Sequence, residues 1–560
     1  MADCNNIPSK PNYYELIGEY GSNPEEIITR WNASCTTRVS YRTAIAYIEM
    51  KEGESFQARD YPYNSIPRCF GLMDTSTLED IGVAQVRRSG LDLTGRGILT
   101  AIIDTGIDYT HPAFQYENQT SKVLDIWDQT LETENPFMPY GYGIEYKRED
   151  LNEALKSEVP FSVVPTNDTN GHGTFLAGIT VGRENEEAGF SGIAPNSSLV
   201  IVKLREAKEY LKEYYYIEPN KTAYAETDIM LAVNYVLSKS VKYQMPIVVY
   251  LGVGTSQSAH VGSGPLNQYL ANVAGIGGVS IVACGGNEGA SNHHYEGTVD
   301  NDTREVELKV GGDEYGFTLE LWGSAPNQFF IEIISPTGQR TGTIQGGFRG
   351  QREVTFLLER TKVIVDYFTV DSAIGAPIIM IRFQSPAEGI WKFNVSDEGV
   401  GSRIFNMWLP ITNFLSEDTF FLEATPFNTL TSPANTMEIM GVGTYNQNNQ
   451  SVNLESGRGY PTYGMVKPDF VAPGVEVLGP LPRGRYGRKT GSSVAGAMVA
   501  GISALLLEWG ILQGNDTEMN TIRIKGYLIR GAKRDPNRTY PNREWGYGVV
   551  DLYEAFLKIR

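Results

Sequence analysis

Three short apolar runs constrain the fold of this chain most: Leu99-Thr100-Ala101-Ile102-Ile103, Pro246-Ile247-Val248-Val249 and Val279-Ser280-Ile281-Val282-Ala283-Cys284. Runs this short and this apolar suit strands of a parallel sheet that is covered on both faces. In such sheets the groups that act on ligands gather at the carboxyl ends of the strands. The first run stops at Asp104-Thr105-Gly106-Ile107-Asp108, and the third at Gly285-Gly286-Asn287-Glu288-Gly289.

Two further segments put polar groups at helix starts. In Asn170-Gly171-His172-Gly173-Thr174-Phe175-Leu176-Ala177-Gly178 a histidine between glycines opens a small-residue helix. In Thr490-Gly491-Ser492-Ser493-Val494-Ala495-Gly496-Ala497-Met498 a serine opens an Ala-rich helix that runs on to Leu507. Backbone N–H groups and the helix dipole at such a start stabilise negative charge growing on a neighbouring oxygen. Each residue has an ordinary reading alone: Ser493 as an N-cap, Asp104 and Asn287 as turn formers, His172 as a surface imidazole. Four such groups at four element ends, in the order Asp, His, Asn, Ser, point instead to one acyl-transfer site.

Through these four blocks the chain resembles the subtilisin-like serine proteases, whose chain order is also Asp, His, Ser. Ser191-Gly192-Ile193-Ala194-Pro195, Lys467-Pro468-Asp469-Phe470-Val471-Ala472-Pro473-Gly474 and Trp545-Gly546-Tyr547-Gly548-Val549-Val550-Asp551-Leu552 agree with it. The resemblance implies an α/β fold: a subtilisin-like parallel sheet with helices on both faces, an α+β N-terminal propeptide and an inserted β-sandwich. It implies that Ser493 is the nucleophile, His172 its base and Asp104 the group that holds the imidazole. Asn287 and the Ser493 N–H would hold the oxyanion. A peptide substrate would add as a β-strand along Tyr250-Leu251-Gly252-Val253-Gly254, so Leu251, Gly252, Val253 and Gly285 are expected to bind substrate. Ser492 stands where the family usually has Thr, Phe175 where a second His is usual, and Ala497-Met498 where Pro-His is common. His111, in Tyr109-Thr110-His111-Pro112, is expected to be structural, and His260, His293 and His294 fit no catalytic block. Neither His-Glu-x-x-His nor Cys-x-x-Cys occurs, so neither a metal nor another cofactor is expected.

Composition bounds the partners. Asp and Glu number 66 against 47 Lys and Arg, a net charge of −19, which argues against nucleic acid as the main partner. No uninterrupted apolar run reaches membrane-spanning length. The start, Met1-Ala2-Asp3-Cys4, lacks a basic head and apolar core, so synthesis without a signal peptide, in the cytoplasm, is expected. Four cysteines, Cys4, Cys35, Cys69 and Cys284, are too few and too scattered for a disulfide framework, and fit a reducing compartment.

Residues 1–76 read as a unit of their own. Asn23-Pro24-Glu25-Glu26 starts a helix, and Thr43-Ala44-Ile45-Ala46-Tyr47-Ile48-Glu49-Met50 reads as a strand. By the resemblance this unit is a propeptide that helps folding and then blocks the cleft as a bound inhibitor, with self-cleavage near Asp74, Thr75, Ser76 or Thr77; the alternative is an uncleaved N-terminal domain. Asn287 and Ser493 lie 206 positions apart, and within that stretch residues 297–425 change character. Alternating segments such as Glu305–Val310, Phe317–Trp322, Phe329–Ile334, Val354–Leu358, Val363–Phe368 and Gly389–Val395 indicate an inserted, jelly-roll-like β-sandwich. The catalytic unit is then split into 77–296 and 426–560. A single insertion of this kind resembles the clostridial Csp subtilases of spore germination, which implies spore association. The resulting expectation is a self-processing serine endopeptidase acting on a protein or peptide. The rival readings are a silent scaffold or sensor whose cleft is plugged by its propeptide, and a carbohydrate- or partner-binding sandwich to which the protease is secondary.

Overall fold

The three apolar runs lie side by side at the centre of a nine-stranded sheet. This computed structural model describes residues 4–559 except 51–55, 73–80, 89–90, 135, 301, 346–348, 369–374, 400 and 462–463. Strands Met440–Asn446, Val279–Cys284, Ile247–Leu251, Leu99–Asp104, Ser198–Lys203 and Val123–Asp128 run parallel in that order. Phe470–Pro473 also joins Met440–Asn446 in parallel, and Ile144–Lys147 and Ser451–Val452 add antiparallel.

The pleat explains why these strands are apolar throughout. Leu99, Ala101 and Ile103 face one core and Ile102 the other. Helices His172–Val181 and Ser492–Leu507 cover the Ile102 face, and helices Glu226–Tyr243 and Pro265–Ala274 cover the opposite one. Glycines bring the serine helix close to the sheet: a Cβ on Gly496 would stand 2.7 Å from the Tyr250 hydroxyl. With its π-helical last turn this helix, Ser492–Leu512, is long and apolar enough by composition to cross a membrane. Its most apolar window is 89% buried inside the protein, as a central core helix must be.

The N-terminal unit is a three-stranded antiparallel sheet, ordered Tyr13–Glu19, Thr43–Glu49, Cys35–Arg38, with helix Glu25–Trp31. Glu26 anchors that helix by accepting hydrogen bonds from the N–H groups of Gly21, Ser22 and Asn23. The unit docks on the body built around the nine-stranded sheet through a buried carboxylate. Glu15 meets Arg205 and Lys208, both at 2.7 Å, and accepts from the Thr227 hydroxyl at 2.6 Å. Burial would raise the Glu15 pKa, but the two cations outweigh it and hold it well below the usual carboxylate range.

The cysteine expectation is corrected here: Cys4 and Cys35 form a disulfide, whereas Cys69 and Cys284 are free and buried. The hairpin-free sequence between them gave no sign of it, because the strand pairing that brings Cys35 beside the N-terminal arm is tertiary. Beyond this sheet the chain runs on to strand Cys69–Leu72, which lies between Val253–Gly254 and Tyr224–Ala225 and pairs antiparallel with both.

The alternating segments after residue 297 all lie on strands, apart from Leu357 and Leu358, which follow Arg349–Phe356 and are exposed. A six-stranded antiparallel sheet starts with His294–Thr298 beside Ile404–Trp408, and a four-stranded one contains Arg304–Val310 and Gly389–Glu398. Both sheets contribute to one apolar core that holds Leu319, Ile331, Phe383 and Trp391. The sandwich also touches the N-terminal unit. The Tyr63 hydroxyl donates to Glu320 at 2.8 Å, and its ring packs edge-on against Trp322.

Candidate active site

Asp104 is the last residue of its strand, and His172 and Ser493 stand in the first turns of their helices. The sheet order places the three in contact. His172 Nδ1 lies 2.7 Å from Asp104 Oδ1, and His172 Nε2 lies 3.1 Å from Ser493 Oγ. All three side chains are buried. Asp104 Oδ1 also accepts the Thr105 N–H at 2.8 Å, which fixes the carboxylate relative to its own turn.

Two glycines make room for this chain of bonds. A Cβ on Gly252 would sit 2.7 Å from Asp104 Oδ2 and 3.3 Å from His172 Cε1, and a Cβ on Gly173 only 2.2 Å from the Gly106 carbonyl oxygen. A side chain at Gly173 would meet backbone, and one at Gly252 would have to displace the Asp104 carboxylate or Leu176.

Asn287 follows the carboxyl end of Val279–Cys284, and its Oδ1 accepts the Ser492 N–H at 3.1 Å. Ser492 in turn accepts the Gly286 N–H on its hydroxyl at 3.0 Å. The serine that replaces the family's usual Thr therefore keeps a hydroxyl that joins the helix start to the asparagine loop. Phe175, in place of a second His, packs where Gly479 leaves space, with the Lys489 ammonium 5.7 Å from its ring centre. The Tyr250 hydroxyl donates to the Ser493 carbonyl oxygen.

Of the residues expected to bind substrate, Val253 pairs with Leu72, and the neighbouring Gly254 pairs with Gly71. Gly252 borders Asp104 and His172, as described. Leu251 is internal to the sheet between Ile103 and Ala283. Gly285 donates its N–H to the Val442 carbonyl and packs under Leu430. Asp74, Thr75, Ser76 and Thr77 lie outside the described residues. His111 accepts the Ala113 N–H on Nδ1 and bonds the Arg485 carbonyl through Nε2, and burial lowers its pKa.

Sequence reasoning passed over two carboxylates that hold the site. Asp168 accepts the N–H groups of Gly171 and Thr174 at 2.8 and 2.9 Å and the Thr105 hydroxyl at 2.9 Å. It thereby ties the start of the His172 helix to the Asp104 turn. An acid four residues before the histidine, ahead of a helix, was the available signal. Glu288 binds His293 Nδ1 at 3.0 Å and accepts from Thr412 of the inserted region. Nothing local announced that contact. Among the described residues no group of three or more His, Cys, Asp or Glu could hold a metal. A cavity of about 570 Å³ lies instead at the seam between the N-terminal unit and helix Pro265–Ala274, lined by Arg30, Trp31, Arg42 and Gln268. It contains no member of the Asp104–His172–Ser493 chain.

Comparison with known proteins gives a consistent picture. The model of the Subtilase family matches residues 95–307 and 418–548, over half of the chain. Subtilisin-like protease SBT6.1 of Arabidopsis thaliana is 34% identical over 137 residues, 23% of this chain and 13% of that protein. Membrane-bound transcription factor site-1 protease of Mus musculus is 34% identical over 136 residues, 23% of this chain and 12% of that protein. The match thus spans only about an eighth of these relatives' length. The structure of the Clostridium perfringens CspB protease is similar over far more, covering 85% of this chain and 97% of its own, with 32% identity and a TM-score of 0.75.

Proposed function

The chain belongs to the subtilase family of serine peptidases, and we propose that it is a self-processing endopeptidase whose chemistry is carried by Asp104, His172, Ser493 and Asn287. The observation that carries this reading is the unbroken hydrogen-bond chain from Asp104 through His172 to Ser493, at 2.7 and 3.1 Å.

The steps follow from that geometry. His172 Nε2 takes the Ser493 proton as Oγ attacks the scissile carbonyl carbon, and then delivers it to the departing amine. Asp104 keeps the Nδ1 proton in place and stabilises the imidazolium. The Asn287 side chain accepts the Ser492 N–H on its oxygen, which orients the amide so that its NH2 end is the one to donate to an oxyanion. The backbone N–H of Ser493, near the helix start, is the second donor. Water then repeats the sequence on the acyl-enzyme.

Self-processing is supported by strand Cys69–Leu72, which occupies the edge beside Gly252 in the pairing a peptide substrate would adopt. A role in spore germination is supported by likeness of architecture to the Csp proteases alone.

Intact-mass measurement of the wild-type chain beside Ser493→Ala tests the proposal. Wild type is expected to split shortly after Leu72 while the variant stays whole. Two intact chains, with no fluorophosphonate labelling of wild type at Ser493, would overturn it.

A further inference from the structure

Backbone pairing alone cannot select a sequence, so selectivity along Val253–Gly254 must come from what lies on the two faces of the bound strand. Cys69–Leu72 shows both faces. Phe70 is buried in the core that contains Leu251, Val253 and Tyr224. Cys69 and Gly71 turn the other way. Cys69 joins a cluster with Trp408, Ile411 and Phe414, which come from the end of the inserted region. A Cβ on Gly71 would meet Ile411 Cδ1 at 2.5 Å and Phe414 Cε1 and Cζ at 3.6 Å.

Gly71 is not required by the backbone, because it lies on a strand and is absent from the glycines with positive φ. What it meets is a wall. Ile411 and Phe414 are 1% and 3% exposed, so neither can swing into solvent. The turn between them is held by the Phe414 N–H bond to the Ile411 carbonyl at 2.9 Å, and Thr412 within it is held by Glu288. Both wall residues fall in the stretch 308–417, which the family model passes over.

We propose that the inserted sandwich sets a size limit in the cleft: Ile411, backed by Phe414, disfavours a side chain at the position occupied by Gly71, a branched one most, in the chain's own tail and in any substrate bound along the same edge. The inference rests on the endopeptidase reading and names a specificity that reading does not contain. A methyl group added at this position must displace a buried isoleucine, and a branched side chain must displace more.

The test is a size exchange in the full chain. Self-cleavage is followed by mass during cell-free synthesis of wild type, Gly71→Ala, Gly71→Val, Ile411→Ala and Gly71→Val/Ile411→Ala. Gly71→Val is expected to slow splitting at least about tenfold, Gly71→Ala less, and the double variant to recover most of the rate. The same substitutions on a Ser493→Ala background report folding: Gly71→Val should lower the melting temperature and Ile411→Ala should restore it. Splitting of Gly71→Val at the wild-type rate overturns the size limit, as does a folded Gly71→Val chain that Ile411→Ala fails to rescue. If wild type itself does not split, the self-processing reading falls, and the melting series alone decides the size limit.

Discussion

Glu288 grips Thr412 from across 124 positions of sequence, accepting its N–H on Oε1 at 3.1 Å and its hydroxyl on Oε2 at 3.0 Å. Glu288 directly follows Asn287, so the end of the inserted region is fastened to the loop that carries the proposed oxyanion donor. Burial would raise the Glu288 pKa, but His293 and Thr412 prevail and keep it lowered. The insertion thereby braces a loop of the proposed site. Glu288→Ala would remove the acceptor of the Thr412 N–H, and, because Thr412 is itself exposed, water can take its place, at a cost of about 0.5–1.5 kcal/mol. It should lower kcat more than it raises KM on a peptide substrate, because the loop it frees stabilises the transition state rather than the bound ground state. An unchanged kcat with a raised KM would mean that the contact serves substrate binding instead.

Asp104→Asn tests the other end of the chain of bonds. The amide can present its NH2 group to His172 Nδ1 and so favour the tautomer that carries its proton on Nε2, facing Ser493. Shape is nearly unchanged, so the melting temperature should hold while fluorophosphonate labelling slows by about 10⁴-fold. A loss of only a few-fold would remove Asp104 from the proposed role.

Asp104, His172, Asn287 and Ser493 were legible in the sequence because each sits where a period changes, at the end of a strand or the start of a helix, with glycine or small residues beside it. The parallel sheet was legible for a related reason: Leu99, Ala101 and Ile103 face one core while Ile102 faces another, so the strand is apolar on both sides. The second layer of the site was not. Glu288 finds Thr412, and Gly71 finds Ile411, only after the sandwich folds back on the cleft, and neither residue breaks a local pattern. The Cys4–Cys35 disulfide was hidden likewise, since 31 positions separate the pair and only the docking of the N-terminal arm joins them.

Gly252 should tolerate no substitution. Its missing side chain leaves the space in which Asp104 Oδ2, Leu176 Cδ1 and His172 Cε1 approach, at 2.7, 2.7 and 3.3 Å from a Cβ. Gly252→Ala would push the imidazole off line with Ser493, and a displacement near 1 Å costs on the order of 100-fold in rate. The measurement is the labelling rate at Ser493 beside a melting curve. Full labelling with an intact fold would show that the site yields more readily than its geometry implies.

The disulfide predicts a stability effect confined to the N-terminal unit. Cys35→Ser would release the arm that begins at Cys4, and closing a loop of 31 positions typically contributes about 2–4 kcal/mol. Limited proteolysis should then cut the N-terminal unit faster while the catalytic body resists as before. Equal resistance in both chains would show that the Glu15 anchor to Arg205 and Lys208 is sufficient.

Acid sensitivity should arise at the seam between sandwich and catalytic body, where Trp408 is stacked between His260 and His294 with ring centres 4.2 and 4.6 Å away. His260 Nε2 bonds the Ser256 carbonyl, and His294 donates from Nδ1 to the Phe427 carbonyl while its Nε2 faces the Asn406 side-chain amide, whose NH2 end serves a neutral ring. Burial lowers the His260 pKa to about 3 and the His294 pKa to about 4, and for His260 the neighbouring His294 adds to the effect. The folded protein keeps both rings neutral, whereas an unfolded chain protonates them near pH 6.5. The unfolded state therefore binds more protons below pH 6.5, so stability is full above that pH and falls as acid is added, down through pH 4. Each histidine contributes a slope of about 1.4 kcal/mol per pH unit in that window. His260→Phe keeps an aromatic ring against Trp408 and removes one titrating group. Its melting temperature should fall less steeply than that of wild type between pH 6.5 and 4.5, even if it starts lower through loss of the Ser256 bond. Parallel slopes would assign the acid sensitivity to groups other than this stack.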